Sequence, residues 1–160
     1  LKRDRVIVSP VPGTTRDSVE EMINLAGIPI RIVDTAGISR GRNQLEKEGI
    51  KRSKGYLGMA DIALFLLDAT RGFTSEDKAI LDILGSVKKL VIINKIDAGE
   101  KLNAHKAKKL FPADPVIEIS VEERKNIKKL ESAIVELIWG GRFTQGEGAI
   151  VSNEIGRAHV

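Results

Sequence analysis

The chain has 160 residues, a formal charge of +4, 42% hydrophobic and 30% charged residues, and no cysteine. Those values suit one globular domain with its own core, and they exclude disulfides and cysteine-based metal centres. There is no charge-free apolar run of bilayer-spanning length, and the opening "LKRDR" lacks the apolar segment of a signal peptide, so we expect a soluble, cytoplasmic protein with no membrane partner.

In chain order, the first distinctive stretch is Pro12-Gly13-Thr14-Thr15-Arg16-Asp17. On its own it reads as a plain turn, because Pro12 fixes φ and Gly13 permits positive φ; a loop that holds a ligand is the alternative that the rest of the chain must support. Met22 to Leu25, an Ala26-Gly27 turn, and the alternating Ile28, Ile30 and Ile32 predict an antiparallel hairpin. Residues 44–59 form a poor helix, interrupted by Gly49, Gly55 and Gly58, and we expect them to move. Three continuous apolar runs follow, "IALFLL" (62–67), "LVII" (90–93) and "VIEI" (116–119), which read as buried parallel strands. Between the first two, Thr74 and Ser75 cap a helix whose apolar stripe is Ala79, Ile80, Ile83 and Leu84. The lysines of "KLNAHKAKKL" and "ERKNIKKL" read as solvated helix faces rather than a nucleic-acid patch. A last helix carries Ile127, Leu130, Ala133, Ile134, Leu137 and Ile138 on one face and ends at Gly140-Gly141.

Strands alternating with helices predict an α/β domain with a mostly parallel sheet, and in such sheets ligands bind beyond the carboxyl ends of the strands. Polar motifs fall at those ends. Asp34-Thr35-Ala36-Gly37 puts a carboxylate where it can hold Mg²⁺ through water, and Gly37 lets a backbone N–H approach a terminal phosphate; an ordinary strand-to-loop turn reads the same way. Asn94-Lys95-Ile96-Asp97 is more specific. A fixed Asp97 carboxylate can accept from guanine N1–H and the exocyclic amino group, a donor pair adenine lacks, while Asn94 ties loops together and the Lys95 stem covers a base face. The competing reading is a helix-capping aspartate. Ser120-Val121-Glu122 follows the last strand, where a backbone N–H could meet the guanine O6.

Taken together, "DRVIVSPVPGTTRD", "RIVDTAGI", "ADIALFLLDAT", "VIINKID" and "IEIS" resemble, in order and spacing, the TrmE-Era-EngA-YihA-like branch of P-loop GTPases over residues 1–140. Within it, "DTAGISRGRNQLEKEGIKRS" is most similar to the tRNA-modification GTPase family MnmE, also called TrmE. The resemblance implies a Ras-like fold and GTP hydrolysis that supports modification of the wobble uridine of certain tRNAs. It also implies a homodimer through the G domains and a flavoprotein partner. GTP or GDP would contact Ser9, Val11, Gly13, Thr14, Thr15, Asp34, Thr35, Ala36, Gly37, Asn94, Lys95, Asp97, Ser120, Val121 and Glu122. Thr15 would join the Mg²⁺ shell with Asp34 acting through water; Ser9, the Val11 backbone and Thr14 would surround K⁺; and Glu46 would be the catalytic residue that positions water. Ile38 follows the DTAG glycine, so the water-orienting glutamine of Ras-type switches is absent there.

The chain departs from that pattern in one large respect: it contains no Gly-Lys dipeptide, hence no G-x-x-x-x-G-K-[ST] phosphate loop. The alignment of "LKRDRVIV" with the segment after that loop predicts a domain lacking the first strand, the phosphate loop and the first helix. It also predicts a gap in the sheet between the 28–34 and 62–67 strands, with low stability and weak GTP binding for the stretch alone. We expect residues 1–140 to be a partial G domain, 141–154 a linker toward a helical domain, and 155–160 a non-native tail. "EIGRAHV" is also the translation of GAG ATC GGA AGA GCA CAC GTC, a string that looks like a sequencing adapter, so His159 carries no functional weight, and His105 is expected to be exposed. Two other readings remain: a ribosome-assembly GTPase with two G domains, and an interaction module that has lost nucleotide binding.

Overall fold

The computed structural model describes residues 5–9, 19–34, 55 and 57–140. Its strands are β1 (Arg5–Ser9), β2 (Val19–Leu25), β3 (Ile28–Asp34), β4 (Ile62–Asp68), β5 (Lys89–Asn94) and β6 (Val116–Glu118). Its helices are α1 (Ser75–Leu84), α2 (Ala104–Leu110) and α3 (Ile127–Ile138). One six-stranded sheet runs in the order β2-β3-β1-β4-β5-β6, parallel except for the antiparallel β2–β3 hairpin.

The hairpin forms where alternation predicts it. Ala26 (φ 52°) and Gly27 (φ 81°) both take the left-handed region, as a two-residue loop between right-twisted strands requires. Asn24 Oδ1 accepts from the Gly27 N–H at 2.9 Å, and Ile23 pairs with Ile30 across the two strands. Residues 44–56 lie outside the described residues apart from Gly55, which is helical, as are Leu57 to Met59.

The expected gap between β3 and β4 is filled. Arg5–Ser9 lies there, parallel to both, pairing Val6 with Arg31 and Ile7 with Ile62. The physical reason is that an open slot would strand the facing backbone N–H and C=O groups of two central strands, and the β-branched run Val6-Ile7-Val8 suits a strand. A second difference concerns β6. It has only three residues, all half-buried, because it is the sheet's edge and has one neighbour rather than two.

Helices cover both faces. Along β4, Ala63, Phe65 and Leu67 face one way and pack with Ile80 and Leu84 of α1 and Ala107 of α2. Ile62, Leu64 and Leu66 face the other way, toward Ile134 of α3 and the hairpin isoleucines. This period-two split of continuous apolar strands is what burial on both faces dictates. Phe111 sits edge-on to Phe65 and to Phe73, with ring centroids 5.8 and 5.7 Å apart, locking the end of α2 against the sheet.

α1 begins in a capping box between Thr74 and Asp77 and stops at Gly85 (φ 53°). Ala79 is exposed, contrary to the expected stripe; the face packed on the core runs through Ile80, Leu81, Ile83 and Leu84 instead, because the larger Leu81 buries more apolar surface than Ala79. In α3 the whole expected stripe packs on the second core, and Val135 is buried as well. His105 is exposed on α2, as anticipated. No helix among the described residues is long and apolar enough to cross a membrane.

Candidate functional site

The carboxyl ends of the parallel strands form one rim. Register places Ser9 of β1 beside Asp34 of β3, and Asp68 of β4 beside Asn94 of β5. Of Ser9 and Asp34, the strand backbone alone is described. Val11, Gly13, Thr14, Thr15, Thr35, Ala36, Gly37 and Glu46, and so the switch-threonine, K⁺-loop and catalytic-glutamate expectations, lie outside the described residues.

The 94–97 and 120–122 motifs are brought together. Asn94 Oδ1 accepts from its neighbour's Lys95 N–H at 2.8 Å and from the Val121 N–H at 3.2 Å, so one side chain joins loops 27 residues apart. Ser120 is fully buried, and its hydroxyl donates to Asp97 Oδ1 at 2.5 Å while accepting the Glu123 N–H at 3.0 Å. Ser120 also exchanges both backbone hydrogen bonds with Lys125, at 3.2 and 2.9 Å, closing a tight loop around Val121 and Glu122. The result is an exposed Asp97 carboxylate whose orientation is fixed from behind by a buried hydroxyl. A carboxylate offers about four acceptor positions, so one bond to Ser120 leaves capacity for a pair of ligand N–H donors. The Val121 N–H is engaged by Asn94, which makes the backbone of this loop part of the joint between motifs. The Val121 side chain is 59% exposed, and Glu122 is exposed beside it.

Lys95 takes a left-handed conformation (φ 64°), and its ammonium reaches Asp68 Oδ2 at 2.8 Å. Asp68 Oδ1 accepts from both the N–H (2.8 Å) and the hydroxyl (2.6 Å) of Thr70. Burial pushes the Asp68 carboxyl up, but the Lys95 and Thr70 hydrogen bonds and the Lys95 charge outweigh it and lower the pKa to about 2. Backbone bonds stitch the same loops together: Ala69 N–H to Asn94 C=O at 2.9 Å, and Leu102 N–H to Ala69 C=O at 3.1 Å. Asp68 and Thr70 carried no role in the sequence reading. The available signal was that "IALFLL", like the other parallel strands, runs straight into a polar residue at its carboxyl end.

Among the described residues, no three His, Asp or Glu side chains gather as a metal site. The rim can instead present a fixed carboxylate and a lysine stem to a planar base. A doubly wound parallel sheet with its polar loops on this rim is the Ras-like GTPase architecture.

Comparison with known proteins agrees. A family model described as a 50S ribosome-binding GTPase matches residues 1–95, and the chain belongs to that family. It is 39% identical over 154 residues to the tRNA modification GTPase MnmE of Desulforamulus reducens, covering 96% of this chain and 33% of that protein. With the MnmE of Thermoanaerobacter sp. it shares 42% identity over 153 residues, again 96% of this chain and 33% of the relative. The chain thus spans about a third of the length of the curated relatives it matches. Among solved structures, an Era variant from Aquifex aeolicus bound to GDP and aluminium fluoride superposes with a TM-score of 0.69 at 24% identity, covering 83% of this chain and 57% of that one. The G domain of the T. maritima FeoB iron transporter gives 0.63 at 18%, covering 84% and 99%. These two likenesses establish the fold.

Proposed function

We propose that the chain is part of an MnmE-type G domain whose GTP binding and hydrolysis support modification of the wobble uridine of certain tRNAs. The observation that carries the nucleotide reading is the Ser120–Asp97 hydrogen bond: a buried hydroxyl holds an exposed carboxylate ready for guanine's paired donors. The relatives named as tRNA modification GTPases, at 39% and 42% identity, support the tRNA half.

In this reading Asp97 accepts from guanine N1–H and N2–H, Asn94 holds the two base loops in register, and the Lys95 stem lies over the base. Thr15 and Asp34 serve Mg²⁺; Ser9, the Val11 carbonyl and Thr14 serve K⁺; this is an all-oxygen donor set suited to hard cations. When bound, such cations stabilise the negative charge that builds on phosphate oxygens during transfer. Gly13, Thr35, Ala36, Gly37, Ser120, Val121 and Glu122 line the nucleotide, and Glu46 positions the attacking water. Residues 141–154 lead into a further helical domain, and 155–160 are not native sequence. The protein works in the cytoplasm as a homodimer through its G domains, with a flavoprotein partner and tRNA.

The full-length gene product should bind guanosine diphosphate with Mg²⁺ and hydrolyse GTP faster in K⁺ than in Na⁺. Asp97→Asn should weaken GDP at least a hundredfold while strengthening xanthosine diphosphate, whose C2 carbonyl can accept from the new amide. Unchanged base preference in that variant would rule the reading out. Restoration of the modified wobble uridine in cells lacking the relative, read by nucleoside mass spectrometry, tests the tRNA half. The family model's description favours one alternative, a ribosome-assembly GTPase, and co-sedimentation with ribosomal subunits without restored tRNA modification would select it.

A further inference from the structure

We propose that Asp68 is a positioning residue for the purine base, acting through Lys95; this rests on the nucleotide reading above. A lysine stem covers a base face only if something fixes where it lies, since its rotamers are otherwise free at little cost. Here the ammonium is anchored on Asp68 Oδ2 at 2.8 Å, and the left-handed Lys95 backbone turns the chain so that the side chain runs from the β5 end to the β4 end. The Lys95 side chain is 59% exposed, so packing alone fixes it weakly. The anchor is rigid: Asp68 is 22% exposed, and its other oxygen is occupied by both donors of Thr70. Thr70 in turn lies close against Gly99, where an added Cβ would stand 3.1 Å from Thr70 Cα. The base loop and the anchor are thus in close approach as well as bonded.

Covering a face does not depend on the groups at the base's edge. Loss of the anchor should therefore weaken guanine and hypoxanthine nucleotides by the same factor, whereas changes at Asp97 alter the ratio between them. Asp68→Asn separates the two jobs of the carboxylate. The amide oxygen still accepts from Thr70, but the charge that anchors Lys95 is gone.

The experiment measures release of fluorescent GDP and IDP from the full-length protein carrying Asp68→Asn, Lys95→Ala, both, Thr70→Val, or Asp97→Asn. We expect Asp68→Asn to speed release of both nucleotides about three- to fivefold, the range of a partly exposed ion pair. Lys95→Ala should do at least as much, the double variant no more than Lys95→Ala, and Thr70→Val, which leaves the pair intact, less than twofold. Multiplying effects in the double variant, unchanged release from Asp68→Asn, or an equal effect of Thr70→Val would overturn the proposal. If Asp97→Asn leaves the base preference untouched, the nucleotide reading itself fails and takes the proposal with it.

Discussion

The Ser120 hydroxyl donates to Asp97 across 2.5 Å, joining two loops 23 residues apart at the ends of neighbouring parallel strands. Ser120→Ala removes that bond and the acceptor of the Glu123 N–H together. Both losses fall at a fully buried position, so we expect about 1–2 kcal/mol of lost stability. Asp97 should also lose its fixed orientation, giving roughly five- to twentyfold weaker GDP binding. Calorimetric GDP titration of the full-length variant, beside its denaturation midpoint, separates the two effects; affinity at the wild-type level would show that Asp97 needs no support from behind.

Asp68 sets a pH dependence of known sign. Its folded pKa of about 2 lies below the ordinary 3.8, so its contribution is fully present above pH 4 and fades as pH falls toward 2. The shift corresponds to about 2 kcal/mol at most, and the exposed, salt-screened Lys95 end reduces this to about 1 kcal/mol. The stability difference between wild type and Asp68→Asn, followed by urea denaturation from pH 6 to pH 2.5, should therefore be flat above pH 4 and shrink below it. A difference that grows on acidification would contradict the ion pair.

Much of this rim was legible because parallel strands buried on both faces are continuous apolar runs, so the polar residue that ends each run marks the sheet's carboxyl edge. Asn94, Asp97 and Ser120 are visible this way from spacing alone. Asp68 ends its run identically and lies within the "ADIALFLLDAT" motif, but that motif assigns it no partner, and Lys95 lies 27 residues away, beyond any local pattern. The filled slot between β3 and β4 has a different cause. Arg5–Ser9 has strand character in its β-branched core, but which slot a strand fills is decided by unmet backbone bonds of distant strands. β6 shows the same limit, since an apolar run does not disclose whether it has one neighbour or two.

Gly99 is where the base loop touches the β4 loop. A Cβ there would sit 3.1 Å from both Thr70 Cα and Thr70 Cγ2, and the Cα is backbone that cannot swing aside. Gly99→Ala should cost about 1–2 kcal/mol and push apart the loops that the Asp68–Lys95 pair joins. Faster GDP release together with a lowered denaturation midpoint is the expected outcome, and a neutral result in both would mean that the contact relaxes freely.

The hairpin turn offers a stabilising change. Ala26 occupies the left-handed region at φ 52°, which costs an L-residue with a Cβ roughly 1 kcal/mol, and its side chain is exposed. Asparagine tolerates that conformation and forms, with Gly27 after it, the preferred pair for such a two-residue loop. Ala26→Asn should therefore raise stability by about 0.5–1 kcal/mol, whereas Gly27→Ala, at φ 81°, should lower it by a similar amount or more. Because the turn lies at the opposite end of β3 from Asp34, neither change should alter nucleotide affinity. Denaturation midpoints shifting in opposite directions at constant GDP affinity would establish that the hairpin's register is set by its turn; equal shifts would mean that the packing of Ile23 and Ile30 against the core sets it instead.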